Sequence, residues 1–238
     1  MRPVIDLTSF YTIVVFLLKC SLQEGKVRHI KKTVTSLIER FGPPRREVSL
    51  NHALGIYNTE GRTALVRYIA QKFFTHGMPV IRVGLVRKGG FDAPAWVEAS
   101  GIVAMYGTEA FRRTTFTLYI RQEYIEEVPF STLVSTISHE MAHIVLFSVG
   151  KKNPHDEKEV DLIAMHFGFF EIHKKGKRYQ VRRKKLPFAW DGTTSLIQNI
   201  FRAILSFREV HYDSYTRGYL TSEEVSYARN VMVQSRAQ

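Results

Sequence analysis

Apolar residues recur at helical spacing along several stretches of the chain. In residues 25–41 they fall on one helical face, which predicts an amphipathic helix that ends at the following Gly-Pro-Pro. A second helix is predicted from about residue 60 to residue 75. Two more are predicted near the end of the chain, over residues 193–210 and from Thr221 onwards, where Thr221 and Glu224 match a capping box.

Strands are predicted between these helices, where apolar and polar residues alternate or β-branched residues cluster. The predicted strands are residues 79–87, 95–106 and 114–121. Gly101 and Gly107 are expected to bend or end the middle strand. Helices on either side of a few strands predict an α+β fold with a small sheet.

A long apolar helix is predicted to follow the last of these strands. Pro129 suits its first turn, and Gly150 suits the position just after its end. Its residues that recur at helical spacing are Leu133, Ile137, Met141 and Ile144. The helix contains the sequence His-Glu-Met-Ala-His, from His139 to His143, and the apolar flanks indicate that this motif is half-buried.

The histidine motif has the chemistry of a metal site. His139 and His143 lie four residues apart, so on a helix both imidazoles can point at one metal ion. Glu140 lies at the flank of that face, where its carboxylate can reach a water molecule at the metal without being a ligand. Zinc accepts two imidazoles and a carboxylate and leaves a fourth position for that water.

Acidic residues follow the motif at close range. The cluster consists of His155, Asp156, Glu157, Glu159 and Asp161. It also begins a helix, for which Asn153 is the predicted N-cap. Capping explains Asp156, but it explains less well why Glu157 and Asp161 lie one turn apart beside an apolar face. Periodicity does not choose between Glu157 and Glu159 as a third metal ligand, because they flank that face on opposite sides.

His-Glu-x-x-His followed by Glu-x-x-x-Asp on the next helix resembles the gluzincin class of zinc metallopeptidases, in particular its small single-domain members. The resemblance implies that His139, His143 and Glu157 are the zinc ligands. It also implies that Glu140 is the general base and that Asp161 accepts a hydrogen bond from a ligand histidine. The fold implied is a compact zincin-like one, with a small mixed sheet above the first motif helix and a helical C-terminal part.

The same resemblance implies how the chain is divided and where a substrate would lie. Residues 1–78 are predicted to form a helical N-terminal part and residues 79–238 a zincin-like metallopeptidase domain, and together they can form one continuous domain. An edge strand pairs with extended substrate in such folds, and residues 95–100 and 114–121 are the two candidates. Residues 211–220 are predicted to form a polar, aromatic loop. Its candidates for stabilising an oxyanion, which can instead be structural loop contacts, are His211, Tyr215, Arg217 and Tyr219.

The chain is strongly basic, with a net charge of +12 from 34 Lys and Arg against 22 Asp and Glu. This balance favours an acidic partner such as nucleic acid or an anionic membrane surface. Residues 174–185 are predicted to be either a solvent-exposed hairpin that turns at Gly176 or a sequence-independent polyanion-binding site. The basic residues of this segment are Lys174, Lys175, Lys177, Arg178, Arg182, Arg183, Lys184 and Lys185.

A single cysteine, Cys20, excludes a disulfide bond within the chain and a cysteine-based zinc site, and it predicts a reducing, cytoplasmic location. The apolar run of residues 10–18 is too short to cross a bilayer and lacks a signal-cleavage site. We therefore expect a buried helix or strand there, with membrane association as the alternative.

These observations predict a zinc-dependent metallopeptidase that hydrolyses a peptide or protein substrate with a water molecule activated by Glu140. A second hypothesis is a catalytically silent zincin-fold protein that acts as a nucleic-acid-binding or regulatory module. A third is a protein with structural zinc or without metal, in which His139 and His143 are hydrogen-bonded core residues.

Overall fold

A computed structural model describes residues 25–87, 93–150, 156–176, 178–183, 211–216 and 220–236. In these ranges the protein is an α+β structure, which confirms the predicted fold class. No helix in them is both long enough and apolar enough to cross a membrane. The apolar run of residues 10–18 and the helix predicted over residues 193–210 lie outside the described residues.

From residue 25 onwards, three helices precede the sheet. They are α1 (residues 25–41), α2 (Leu50–Glu60) and α3 (Arg62–Phe73). α1 and α3 confirm the predicted helices, and their buried residues include Ile30, Val34, Leu37, Leu65, Ile69 and Phe73. α2 is not predicted from the sequence. Its one buried residue is Ala53, so its apolar residues show little helical periodicity.

In the described part of the chain the sheet has three strands, β1 (Val80–Val86), β2 (Ala95–Ala99) and β3 (Thr115–Arg121). β3 lies in the middle, parallel to β1 and antiparallel to β2. A central strand has no free edge, so the prediction that residues 114–121 pair with substrate is wrong. β2 is the remaining candidate, and it ends before Gly101, which has a φ of 92° that favours glycine.

Two short helices, α4 (Glu109–Arg113) and α5 (Gln122–Glu127), flank β3. The long helix α6 (Phe130–Ser148) follows, between Pro129 and Gly150 as predicted. Its predicted apolar positions, all buried, are Leu133, Ile137, Met141 and Ile144. β2 packs against α6, so an edge strand of the sheet lies beside the helix that carries the histidine motif.

The second motif lies in a kinked helical unit. Its parts are α7 (Glu157–Ala164), a π-helical turn (Met165–Phe169) and α8 (Phe170–Gly176). The N-cap of α7 is Asp156, whose carboxylate accepts hydrogen bonds from the backbone N–H groups of Lys158 and Glu159. The prediction of Asn153 as N-cap is therefore wrong, and the capping explanation of Asp156 is correct.

The kink between α7 and α8 lies at Gly168, which has a φ of 95°. The loop after α1 packs into this kink: the N–H of Arg45 donates to the carbonyl of His166, and the N–H of Val48 donates to that of Gly168, each at 2.8 Å. A Cβ atom on Gly168 would lie 2.3 Å from the carbonyl oxygen of Arg46. Both the conformation and the close approach require glycine.

The basic segment is not a local hairpin. Gly176 is the last residue of α8, and β4 (Arg178–Arg183) pairs antiparallel with β5 (His211–Thr216). The turn predicted at Gly176 is therefore wrong, and residues 211–216 form a strand where a loop was expected. Gly176 instead packs on α6, where a Cβ atom would lie 2.9 Å from the Cβ of Ser135.

The last helix, α9 (Ser222–Gln234), begins with the predicted capping box between Thr221 and Glu224. Glu224 also forms an ion pair with Lys158 of α7, at 2.8 Å between Oε1 and Nζ. This ion pair and the capping box hold the start of α9 against α7.

The aromatic core joins the N-terminal helices to the motif helices. Phe73 of α3 stacks on Phe167 and Phe169, with ring centroids 4.9 and 5.4 Å apart. Large buried rings of this kind contribute strongly to the stability of a core. The predicted division of the chain at residue 78 stays a prediction.

Candidate metal centre

α6 presents two imidazoles on the same side. The rings of His139 and His143 have centroids 5.0 Å apart, and their side chains are 9% and 12% exposed. Phe147, one turn later, stacks on His143 at 5.9 Å. Because α6 is buried along most of its length, packing fixes the backbone from which both imidazoles project.

Glu157 brings a carboxylate to these imidazoles from the first residue of α7. Its Oε2 atom lies 3.0 Å from Nε2 of His139 and 3.4 Å from Nε2 of His143. Zinc–ligand bonds of about 2.0–2.2 Å at tetrahedral angles place ligand atoms about 3.3–3.6 Å apart. One donor atom from each residue lies within 4.8 Å of the others, so the three form a group that can hold a metal ion.

Asp161, one helical turn after Glu157, lies next to Nδ1 of His139. Its Oδ1 accepts a hydrogen bond from Nδ1 of His139 at 3.0 Å, and its Oδ2 accepts one from the backbone N–H of Leu220 at 3.4 Å. A histidine that binds metal through one nitrogen usually donates its other N–H to a carboxylate in this way. Asp161 therefore leaves Nε2 of His139 facing Glu157.

The electrostatics of the site follow from this contact geometry. Burial by itself lowers the pKa of His139, but its hydrogen bonds to Asp161 and Glu157 and the charges of Asp161 and Glu140 outweigh burial and raise that pKa to about 9. The hydrogen bond from His139 lowers the pKa of Glu157 against the opposing effect of burial, and the charge of His143 adds to this lowering.

Other acids of the two motifs occupy different positions. Glu140 follows His139 on α6, and its side chain is buried. Glu159 is also buried, but it is not part of the group of three donor atoms that can hold a metal. The geometry thus distinguishes Glu157 from Glu159, which sequence periodicity did not.

Sequence reasoning did not identify His173 as part of this region. Its Nε2 lies 3.1 Å from Oγ of Ser138, and its Nδ1 lies 3.9 Å from Oδ1 of Asp161. A lone histidine beside Lys174 and Lys175 gives no sequence signal, since it shares no short-range spacing with either motif. Ser138 immediately precedes the motif, but serine is common in helices of this length.

Several predicted residues stay predictions. His211 and Tyr215 lie on β5, opposite Arg183 and Tyr179 of β4, and their backbone pairing is what the structure describes. Arg217 and Tyr219, and the basic residues Lys177, Lys184 and Lys185, lie outside the described residues. Of the other basic residues, Lys174 and Lys175 are exposed in the last turn of α8, and Arg178, Arg182 and Arg183 belong to β4.

No family profile, curated protein or solved structure gave a significant match to the chain. The site is therefore defined by the geometry and chemistry of His139, His143 and Glu157 in this molecule. These support a metal-binding group without identifying the metal.

Proposed function

We propose that the chain is a zinc-dependent metallopeptidase in which His139, His143 and Glu157 hold the metal. The observation that carries this proposal is the position of the Glu157 carboxylate, 3.0 and 3.4 Å from the Nε2 atoms of the two histidines. Two imidazoles and one carboxylate, without a cysteine, are typical of catalytic zinc sites, whereas structural sites have four protein ligands.

A metal-free core would account for only part of this arrangement. One carboxylate, that of Asp161, accounts for Nδ1 of a buried His139. A second carboxylate, that of Glu157, faces the remaining nitrogen of His139 and also Nε2 of His143. Gathering several ionisable groups in a buried site costs free energy, which the hydrogen bonds of His139 offset in part. A bound cation would compensate the carboxylate charge and accept the lone pairs of both Nε2 atoms, and this supports metal binding.

Bound zinc would supply Lewis acidity, which polarises a carbonyl group and lowers the pKa of water toward neutrality. In the proposed reaction, Glu140 takes a proton from the attacking water and transfers it to the leaving amine. Asp161 keeps Nδ1 of His139 protonated and its ring oriented. β2 pairs with β3 on one side and packs on α6, so its other edge can align an extended peptide beside the site.

Metal analysis and a cleavage assay test this proposal in sequence. The protein, purified in zinc-supplemented buffer without chelator, is expected to carry about one zinc per chain and to cleave members of a peptide library in a chelator-sensitive reaction. Glu140→Gln should keep its zinc and its melting temperature, because it preserves shape and removes a proton acceptor. Its rate of hydrolysis should fall by ~10²–10⁴-fold, the usual contribution of general-base catalysis.

Glu159→Gln is the matched control, since it makes the same chemical change at another buried acid of the region. It should keep peptide hydrolysis within a few-fold of the parent protein. Parental hydrolysis by zinc-loaded Glu140→Gln would rule out the mechanism. Bound zinc without cleavage of any peptide would favour the catalytically silent alternative, and absence of zinc would favour the hydrogen-bonded core.

We also propose a polyanion contact through the basic segment, residues 174–185. The exposed Lys174 and Lys175 support it, because they lie at the end of α8, shortly before the arginines of β4 in the chain. Affinity for single-stranded DNA should then fall steeply with salt, as counterions are released. Replacing Arg182, Arg183, Lys184 and Lys185 together with glutamine should weaken binding and flatten the salt dependence, and unchanged binding would contradict this role.

A further inference from the structure

We propose that His173 is a positioning residue of the metal centre, which acts by restraining Asp161 and, through Asp161, the ring of His139. This inference rests on the metal site of the proposed function but does not depend on peptide hydrolysis. It is carried by two contacts of the His173 ring: Nε2 lies 3.1 Å from Oγ of Ser138, and Nδ1 lies 3.9 Å from Oδ1 of Asp161.

Ser138 sets the orientation of the His173 ring. Oγ of Ser138 lies 2.9 Å from the backbone carbonyl oxygen of Ser135 and 3.1 Å from Nε2 of His173, so both acceptors are within reach of its hydroxyl proton. With the ring proton on Nδ1, Nε2 accepts a hydrogen bond from the Ser138 hydroxyl, since a neutral imidazole has one donor and one acceptor nitrogen. The N–H at Nδ1 then faces the carboxylate of Asp161 and attracts its Oδ1, 3.9 Å away.

The backbone of His173 is held in place by the packing of α8 on α6. Gly176, three residues later, approaches α6 so closely that a Cβ atom would lie 2.9 Å from the Cβ of Ser135 and 3.0 Å from the carbonyl oxygen of Ser131. The kink at Gly168 turns α8 to this position. His173 is therefore presented by a fixed helix, as a positioning residue must be.

Asp161 is restrained from several sides. His139 donates to Oδ1 and the backbone N–H of Leu220 donates to Oδ2, while His173 lies next to Oδ1. The Asp161 side chain is 5% exposed, so protein groups and not solvent determine its rotation. Ligand geometry has to be held to about 0.5 Å for metal binding, so a looser carboxylate would weaken the site.

The first test uses the metal-free protein and ¹⁵N-labelled histidine. The imidazole NMR signals of His139 should show a protonated Nδ1 with a resonance that reports its hydrogen bond to Asp161. His173→Ala should shift this resonance, and His173→Asn should restore it, because the Asn amide occupies the position of Nδ1. His173→Gln, whose amide occupies the position of Nε2, should not restore it. An unchanged His139 resonance in His173→Ala would overturn the inference.

The second test measures zinc affinity by competition with a chromophoric chelator. Loss of a direct hydrogen-bond partner of a metal ligand typically weakens metal binding by ~10–100-fold. His173→Ala acts on the ligand through such a partner, so it should weaken zinc binding less, by about three- to tenfold. In an Asp161→Ala background the same substitution should cost nothing more, since the two residues act as a unit. Equal losses in both backgrounds would show that His173 does not act through Asp161.

The two tests separate this inference from the proposed function. His76→Ala, at an exposed histidine, is the control for both and should change neither readout. A protein that binds zinc without cleaving peptides would refute the peptidase and leave the affinity test decisive for His173. If the parent protein bound no zinc, the metal site would be refuted, and the NMR comparison of the Asn and Gln variants would still decide the positioning role. Circular dichroism confirms that each variant is folded.

Discussion

Two buried histidines of this protein lie in opposite environments. His139, on α6, has a carboxylate at each ring nitrogen, Asp161 at Nδ1 and Glu157 at Nε2, each at 3.0 Å. His166, in the π-helical turn after α7, is fully buried, and neither of its nitrogens has a hydrogen-bond partner among the described residues. The rings of Phe41 and Phe167 lie beside it instead.

The two environments move the pKa in opposite directions. Hydrogen bonds to two carboxylates overcome burial and raise the pKa of His139 to about 9. Burial, together with the charges of Arg45 and Arg236, lowers the pKa of His166 to about 4. Burial of a histidine is therefore no indication of a metal site by itself, and the carboxylates around it make the difference.

Replacing each histidine in turn should give the largest difference in zinc affinity. His139→Ala should lose more than about 100-fold in zinc affinity, because it removes a ligand, which costs more than removing a partner of a ligand. His166→Leu should bind zinc like the parent protein, since it lies in the aromatic core. Zinc titration of both variants makes the comparison. Retained zinc in His139→Ala would exclude this residue as a ligand.

The two glutamates of α7 sharpen the description of the site. Glu157→Ala should weaken zinc binding by about 100-fold or more, whereas Glu159→Ala should have a mild effect on affinity. The reason is that Glu157 and not Glu159 contributes a donor atom to the three-residue group. The same competition titration measures both variants. A reversed order would mean that the Glu-x-x-x-Asp assignment is wrong and that Asp161 has another role.

The pH dependence of unfolding should reveal the lowered pKa of His166. Its pKa in the folded protein, about 4, lies below the ordinary value of 6.5, so between these values the unfolded chain binds a proton that the folded chain does not. The contribution of neutral His166 to the free energy of unfolding is fully present above about pH 6.5. It decreases as the pH falls, and at pH 5 the free energy of unfolding should be lower by about 2 kcal/mol.

Denaturant unfolding of the parent protein and His166→Leu between pH 7 and pH 5 measures this difference. The variant should lose less free energy of unfolding over that range, because leucine does not titrate. At pH 7 it should be close to the parent or more stable, since it removes an unpaired buried polar group. Parallel pH profiles would contradict the low pKa of His166.

The smallest expected effect concerns the kink in the π-helical turn that contains His166. Gly168→Ala should lower the free energy of unfolding by at least about 1 kcal/mol, because alanine is strained at a φ of 95°. The added Cβ would also displace the carbonyl of Arg46. Gly55→Ala, in α2 with open space around its Cα, is the control and should be neutral or stabilising. An equal effect of both substitutions would mean that the loop that carries Arg46 moves away without a loss of stability.

Much of the local structure was predictable because its causes lie within a few residues. The helical period of Leu133, Ile137 and Met141 specifies α6, and the capping box of Thr221 and Glu224 specifies the start of α9. The four-residue spacing of two histidines is also local, because one helical turn brings both rings to the same side. The α+β class followed from such segments taken together.

The tertiary structure decided which distant groups meet. Glu157 rather than Glu159 faces the imidazoles because of how α7 crosses α6, and neighbouring residues do not encode that crossing. His173 reaches Asp161 because Gly168 redirects α8. β4 pairs with β5, about thirty residues away in sequence, where the local pattern around Gly176 predicted a hairpin. Periodicity states which face of an element is buried, but packing between elements determines what that face meets.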